Sequence, residues 1–285
     1  MGYQRKAYAK INLSLDVTGR LDNGYHLVDM IMQTVNIYDE LSFERTDGEI
    51  VLESDCGELP LDENNLIYKA IRLIQEECGV TGGLRVFLKK NIPIAAGMAG
   101  GSTDCAATLM AMDELYGLKL GTKRLMELGV KLGADVPYCI LGGTARAQGI
   151  GEKLTRLPNC PTLKLLVAKP DLNVSTKEVY TGLDALENLP HPGVDDMVRA
   201  IESGNGRAVA AGLGNVLECV TIPLHPVIRE IKDRMLELGA INSLMSGSGP
   251  TVFGIYEKDE ELQKAYEALA ESGLAKQIFM TEPVW

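Results

Sequence analysis

The segment PIAAGMAGGSTD, residues 93–104, places Gly97, Gly100 and Gly101 in a loop that runs straight into a helical pattern. Glycine lets backbone N–H groups approach an anion closely, and a helix start adds unpaired donors at a positive dipole end. The chemistry on offer is phosphate binding. The same residues also suit a plain turn with a helix cap. A Walker A loop would need a lysine where Ser102 and Thr103 follow, and the Rossmann spacing and its βαβ surroundings are absent. A second cluster, SLMSGSGPTVFG at 243–254, holds five small or turn-forming residues from Ser246 to Pro250, more than a hairpin needs. It reads either as a wide turn or as a wall that packs closely against another loop or an anion.

Lys10 and Asn12 fall on the polar side of an alternating stretch, which suits a solvated sheet face. Asp135, in GADVP at 133–137, stands beyond a helix terminator and two residues before Pro137, a place that suits an N-cap or Asx turn. His26 follows a turn in NGYH, while His191 and His225 each precede a proline. Three such scattered histidines make no metal site, and no serine stands in a G-x-S-x-G elbow, so hydrolase chemistry is unsupported.

The elements that must position these residues are legible from periodicity. Ala7, Ala9, Ile11, Leu13, Leu15 and Val17 alternate with Lys10, Asn12, Ser14 and Asp16, as in a strand with one buried face. LDNG at 21–24 predicts a turn, β-type runs follow at 27–35, 41–46 and 49–54, and 84–90 reads as a strand. Helices are predicted over 64–78, 103–116 and 122–132, the first stopped by Gly79 and the others by Gly117 and Gly133. The prolines of PNCP at 158–161 mark the candidate domain boundary, dividing the chain into 1–157 and 158–285. Beyond it come a strand at 163–168, short helices, a helix at 225–238, strands near 241–245 and at 251–256, a helix at 259–271 and a strand at 276–281. That is a β-α-β-β-α-β order with a helical insertion, the split arrangement of ferredoxin-like domains. The fold class is α+β.

At 285 residues the chain is long enough for one large domain or two medium ones. Its 28 basic and 39 acidic side chains give a net charge of −11, which repels nucleic-acid phosphates and anionic headgroups. The six cysteines are widely spaced with no C-x-x-C pair, so neither a disulfide framework nor a structural zinc site is indicated. No signal-peptide pattern and no apolar run of about 20 residues is present, which points to a reducing cytosol.

Taken together, AKINLSLDVTGRLDNGYH at 9–26, PIAAGMAGGSTDCAAT at 93–108, GADVPY at 133–138 and MSGSGPTVFG at 245–254 resemble the GHMP small-molecule kinases nearly end to end. AKINL with GYH and GADVP resembles the branch acting on a cytidine diphosphate methylerythritol substrate in the non-mevalonate route to isoprenoid precursors. The resemblance implies two domains, a β-rich N-terminal ATP-binding and catalytic domain and the ferredoxin-like one. It also implies transfer of the γ-phosphoryl group of ATP to a tertiary 2-hydroxyl. Lys10 and Asp135 would then be the catalytic pair, Asp135 taking the hydroxyl proton while the Lys10 ammonium keeps it ionised. Pro93, Ile94, Ala95, Ala96, Gly97, Met98, Ala99, Gly100, Gly101, Ser102 and Thr103 would hold ATP. Asn12 would face the substrate, with Tyr25 stacking on the cytosine and His26 bonding its edge. Mg2+ is expected with ATP, and no residue is assigned to it, although a hydroxyl of Ser102 or Thr103 is available. Ala99 departs from the family pattern, standing where another glycine is expected, and is tolerable if its φ is negative. Two rivals remain: a GHMP kinase for an amino-acid hydroxyl or a mevalonate-type acid, which gives no reason for Tyr25-His26, and an RNA-binding module, which the net charge disfavours.

Overall fold

A computed structural model describes residues 2–285. The chain forms two compact units interleaved along the sequence: the chain up to Ala9 with 37–92 and 99–142, and 10–36 with 93–98 and 143–285. This differs from the single cut at 157/158. The reason lies in two long strands, β1 (Tyr3–Arg20) and β2 (His26–Thr46), each contributing to both units. At about 3.3 Å per residue, 18 and 21 residues amount to roughly 60–70 Å of extended chain, far beyond the usual strand. The runs expected separately at 27–35 and 41–46 are therefore one strand.

The first unit continues with β3 (Val51–Ser54), α1 (Leu66–Cys78), β4 (Gly83–Lys89), α2 (Gly100–Tyr116), α3 (Gly121–Val130) and α4 (Val136–Leu141). The Glu40–Thr46 end of β2 pairs antiparallel with β4, and β3 adds to β4 in parallel. Asn65 caps α1 by accepting from the Ile67 N–H at 2.9 Å, and Gly79 closes it at φ 65°. Ile67, Ile71 and Ile74 of α1 pack with Leu41, Phe43, Leu84, Val86 and the Ala/Leu/Met face of α2 in one core. Every α2 residue from Thr103 to Leu109 is buried, so this helix is enclosed on all sides.

The second unit holds β5 (Thr144–Gly149), β6 (Lys153–Arg156), β7 (Lys164–Lys169), α5 (Thr176–Leu183), α6 (Val194–Glu202), α7 (Gly206–Ala211), β8 (Gly214–Asn215), α8 (Glu218–Leu224), α9 (Val227–Glu237), β9 (Asn242–Met245), β10 (Val252–Tyr256), α10 (Asp259–Ser272) and β11 (Gln277–Thr281). Its antiparallel sheet runs β11-β7-β10-β9, with α9 against β9 and β10 and α10 against β7 and β11. That is the expected split order, with α5 to α8 as the insertion. The His26–Asn36 end of β2 pairs with β5, which pairs with β6, and β1 pairs in parallel with β8. Sequence reading missed β5, β6 and β8 because TARAQG, KLTR and GN lack both the length and the β-branched alternation that mark a strand.

Candidate active site

The glycine loop has an unusual backbone. Ala95, Gly97 and Ala99 have φ of 50°, 68° and 58°, while Ala96 and Met98 between them do not enter positive φ. Ala99 is therefore left-handed, so the condition under which alanine is easily tolerated there is not met, and the N-cap of α2 is strained where glycine would not be. Alternating the sign of φ turns successive N–H groups toward one side, which forms a concavity for anions. Among the described residues, none of the backbone N–H groups from Ile94 to Ser102 donates a hydrogen bond within the protein. Nine consecutive donors are thus left for a ligand or water. Thr103 differs, its N–H going to the Ala99 carbonyl at 2.9 Å and its hydroxyl to the Tyr8 carbonyl at 2.8 Å.

The second glycine cluster is a packing wall. A Cβ on Gly97 would lie 2.2 Å from the Ser246 carbonyl oxygen, and one on Gly247 3.1 Å from the Gly97 carbonyl oxygen. The Ser246 hydroxyl donates to that carbonyl at 3.1 Å. Asn215 holds the wall from behind, its amide donating to the Met245 and Gly247 carbonyls at 2.8 Å each. The half-buried Glu218 carboxylate accepts from the Met245 N–H at 2.9 Å and from Lys232 Nζ at 2.5 Å.

The polar side of β1 is not solvated. Lys10 is 5% exposed, Asn12 and Ser14 are fully buried, and Asp16 is 7% exposed. The second glycine loop comes within reach of Asn12, and His191 Nδ1 meets Asp16 at 2.9 Å, so chain distant in sequence covers this face. Lys10 Nζ donates to Asn12 Oδ1 at 2.7 Å, and its backbone N–H donates to the Met98 carbonyl at 3.2 Å. The other two ammonium hydrogens have no partner among the described residues. Lys10 and Asn12 thus lie together with the 93–98 part of the glycine loop, in the second unit.

In the first unit, one polar cluster that sequence reading missed supports the loop at both ends. Lys90 Nζ bonds Asp39 Oδ2 and reaches Asp104 Oδ2 at 3.2 Å. Asp39 Oδ1 accepts from the N–H groups of Asn91 and Ile92 at 2.6 and 2.8 Å. Burial pushes the Asp104 carboxyl well above the usual carboxylate range, against the pull of Lys90 and with a further push from Asp39. Its Oδ1 is buried with no partner. Lys90 precedes the loop and Asp104 lies in the first turn after it, so proximity to the motif was the available signal.

Asp135 also belongs to the first unit. It takes the N-cap position of α4 with helical φ and ψ of −81° and −15° and makes no capping bond. Its carboxylate has no hydrogen-bond or ion-pair partner among the described residues, so the capping explanation of this residue fails.

Tyr25 is 59% exposed beyond the turn, which Gly24 allows at φ 87° and Asn23 Oδ1 closes by accepting from the Tyr25 N–H at 3.1 Å. His26, its side chain 10% exposed, puts Nε2 2.7 Å from Asp184 Oδ1 and packs its ring 4.9 Å from that of Tyr180. Arg20 meets the other oxygen of Asp184 at 3.0 Å. Sequence reading missed Tyr180 and Asp184, which lie in and just after α5 more than 150 residues away, with no local signal.

Among the described residues no helix is long and apolar enough to cross a membrane. The family model for the GHMP kinases N terminal domain matches residues 65–143, and that for the GHMP kinases C terminal matches 197–275. A 4-diphosphocytidyl-2-C-methyl-D-erythritol kinase from Lachnospira eligens is 52% identical over 97% of this chain and 96% of its own. One from Alkaliphilus metalliredigens is 48% identical over 94% and 92%. A crystal structure of 4-(cytidine 5'-diphospho)-2C-methyl-D-erythritol kinase superposes with a TM-score of 0.84 at 33% identity, covering 99% of this chain and 100% of that one. A homoserine kinase from Cytophaga hutchinsonii, 21% identical, shares the fold with a TM-score of 0.79 over 99% of this chain and 94% of its own.

Proposed function

Since this chain belongs to the GHMP kinase family, we propose that it transfers the γ-phosphoryl group of ATP to the 2-hydroxyl of 4-diphosphocytidyl-2-C-methyl-D-erythritol. The observation that carries the phosphate part is the run of nine unspent backbone N–H groups from Ile94 to Ser102, ending at the start of α2. Phosphoryl transfer demands positioning and charge stabilisation, with one group to take the hydroxyl proton. Asp135 suits that task because its carboxylate is neither capped nor paired, and Lys10 suits its partner because two of its donors are unspent. Asn12, which accepts from Lys10 Nζ, would sit beside it and face the substrate, and Tyr25 and His26 would recognise the cytosine.

Mg2+ accompanies ATP in this reading and, when bound, offsets charge on the phosphates. Of the two hydroxyls available, Ser102 suits it, since Ser102 is half-buried while Thr103 is 2% exposed. We assign no carboxylate to the ion, which phosphates and water would largely hold. Residues 1–157 would carry ATP and the base, and 158–285 the ferredoxin-like half. The six thiols, none of them paired, agree with a cytosolic setting.

The deciding experiment measures ATP consumption with the cytidine diphosphate substrate, with homoserine and with mevalonate. Turnover confined to the first supports the reading. Preference for either of the others overturns the substrate, and no turnover with any of them overturns the kinase assignment of this site.

A further inference from the structure

His26 is held in a way that limits what it can recognise. Its Nε2 is 2.7 Å from Asp184 Oδ1, while Asp184 Oδ2 is 3.0 Å from the Arg20 guanidinium, so both carboxylate oxygens are engaged. His26 and then Arg20 hold the Asp184 carboxyl below the usual carboxylate range, so it is ionised at neutral pH. An ionised carboxylate only accepts, so the hydrogen between the two residues sits on Nε2. In the neutral ring Nδ1 is then left with its lone pair, and it has no partner among the described residues. The ring cannot swing away to present another edge, because the Tyr180 ring packs against it at 4.9 Å and the side chain is 10% exposed.

We propose that Asp184 is a positioning residue that sets the tautomer of His26, so that Nδ1 accepts a hydrogen bond from an amino group on the substrate's base. The proposal rests on the cytidyl reading above. Cytosine presents an amino donor where uracil presents a carbonyl acceptor, so a bare Nδ1 accepts from the first and opposes the lone pairs of the second. The device therefore selects cytidine over uridine, and an acceptor that the bound base covers and leaves facing a carbonyl discriminates more than stacking alone provides.

The test joins a spectrum of the free protein to kinetics with two substrates. Long-range 1H–15N correlation of the His26 ring, assigned against His26→Gln, reads the tautomer without any ligand. The neutral ring of the wild type is expected to carry its hydrogen on Nε2, and Asp184→Ala to give a mixture of both tautomers. With the cytidine substrate and its uridine analogue, the wild type is expected to favour cytidine by about tenfold or more in kcat/KM. Asp184→Ala should raise KM for the cytidine substrate about tenfold with kcat little changed, and bring the ratio toward one. Arg20→Gln removes the other partner of the same carboxylate and should keep the ratio. If Asp184 served only to tie α5 down, the two variants would behave alike. A hydrogen on Nδ1 in the wild type, an unchanged ratio in Asp184→Ala, or an equal loss in Arg20→Gln overturns the proposal. A wild type inactive on both substrates overturns the cytidyl reading instead, and the spectrum still decides the tautomer.

Discussion

The α-carbon of Gly97 faces the carbonyl oxygen of Ser246 so closely that a Cβ would sit 2.2 Å from it. Two glycine-rich loops separated by about 150 residues in sequence therefore touch backbone to backbone, and Gly97 also holds a left-handed φ of 68°. Gly97→Ala combines a left-handed alanine with a clash against main chain, and should cost about 2 kcal/mol or more of stability and weaken ATP binding at least tenfold. Gly101, without positive φ and with Leu66 Cδ1 at 3.7 Å, has room for a methyl group. Gly101→Ala should leave stability within about 0.5 kcal/mol of wild type. Chemical denaturation and nucleotide titration of both variants check the contrast, and equal effects would refute it.

Asp135→Asn keeps the shape of an uncapped, unpaired side chain and removes most of its proton affinity. The expected outcome is a fall in kcat of about 10²–10⁴-fold with ATP affinity little changed. Steady-state kinetics with a parallel ATP titration decides, and near wild-type turnover removes Asp135 from the mechanism.

Lys10→Met should depress turnover by about 10²-fold or more. Because Lys10 is buried, the variant also leaves Asn12 Oδ1 without its 2.7 Å donor, so a fall in stability of about 1–3 kcal/mol accompanies it. The two effects separate at a temperature well below the melting transition, where a merely structural Lys10 would give a fully active variant.

The Asp39–Lys90–Asp104 cluster predicts a pH dependence of stability. The Asp104 carboxyl is raised by burial, so the folded chain binds its proton more tightly than the unfolded chain does. That contribution is complete below the unfolded carboxylate value and is lost as pH rises through the higher folded value. Asp104→Asn, neutral at every pH, should remove this slope while leaving the Asp39–Lys90 pair intact. Lys90→Met leaves two buried carboxyl groups without their cation and should cost about 3–5 kcal/mol near neutral pH. Denaturant midpoints between pH 5 and 8 for the three proteins test both claims, and parallel curves for wild type and Asp104→Asn would sink the first.

Tyr25 is more than half exposed, so Tyr25→Ala should leave the melting temperature unchanged. Loss of a stacking partner should raise KM for the cytidine substrate about tenfold, with KM for ATP unmoved. A change confined to ATP would place the base elsewhere.

The split order of the second unit was legible because β7, α9, β9, β10, α10 and β11, which make it up, each carry a local pattern of their own, whereas the two-residue β8 in the insertion does not. The glycine loop was legible for a similar reason: its composition is local. The Asp39–Lys90–Asp104 cluster was not, because its members are 51 and 14 residues apart and no periodicity links them. Nor was Asp184, 158 residues from His26.

Alternation along β1 is the sharpest case. By itself the sequence determined that Ala7, Ala9, Ile11 and Leu13 share one side and Lys10, Asn12 and Ser14 the other, because the side-chain period of a strand is two whatever surrounds it. What covers each side is a matter of chain brought in from elsewhere, here the loop at Gly247 and the segment at His191, and only the tertiary structure decided that the polar side is buried. The same holds at Ala99, where residue type disfavours positive φ by about 1–2 kcal/mol and the packed surroundings impose it. Local rules set preferences of that size per residue, and contacts between distant segments outweigh them wherever a site has to be built.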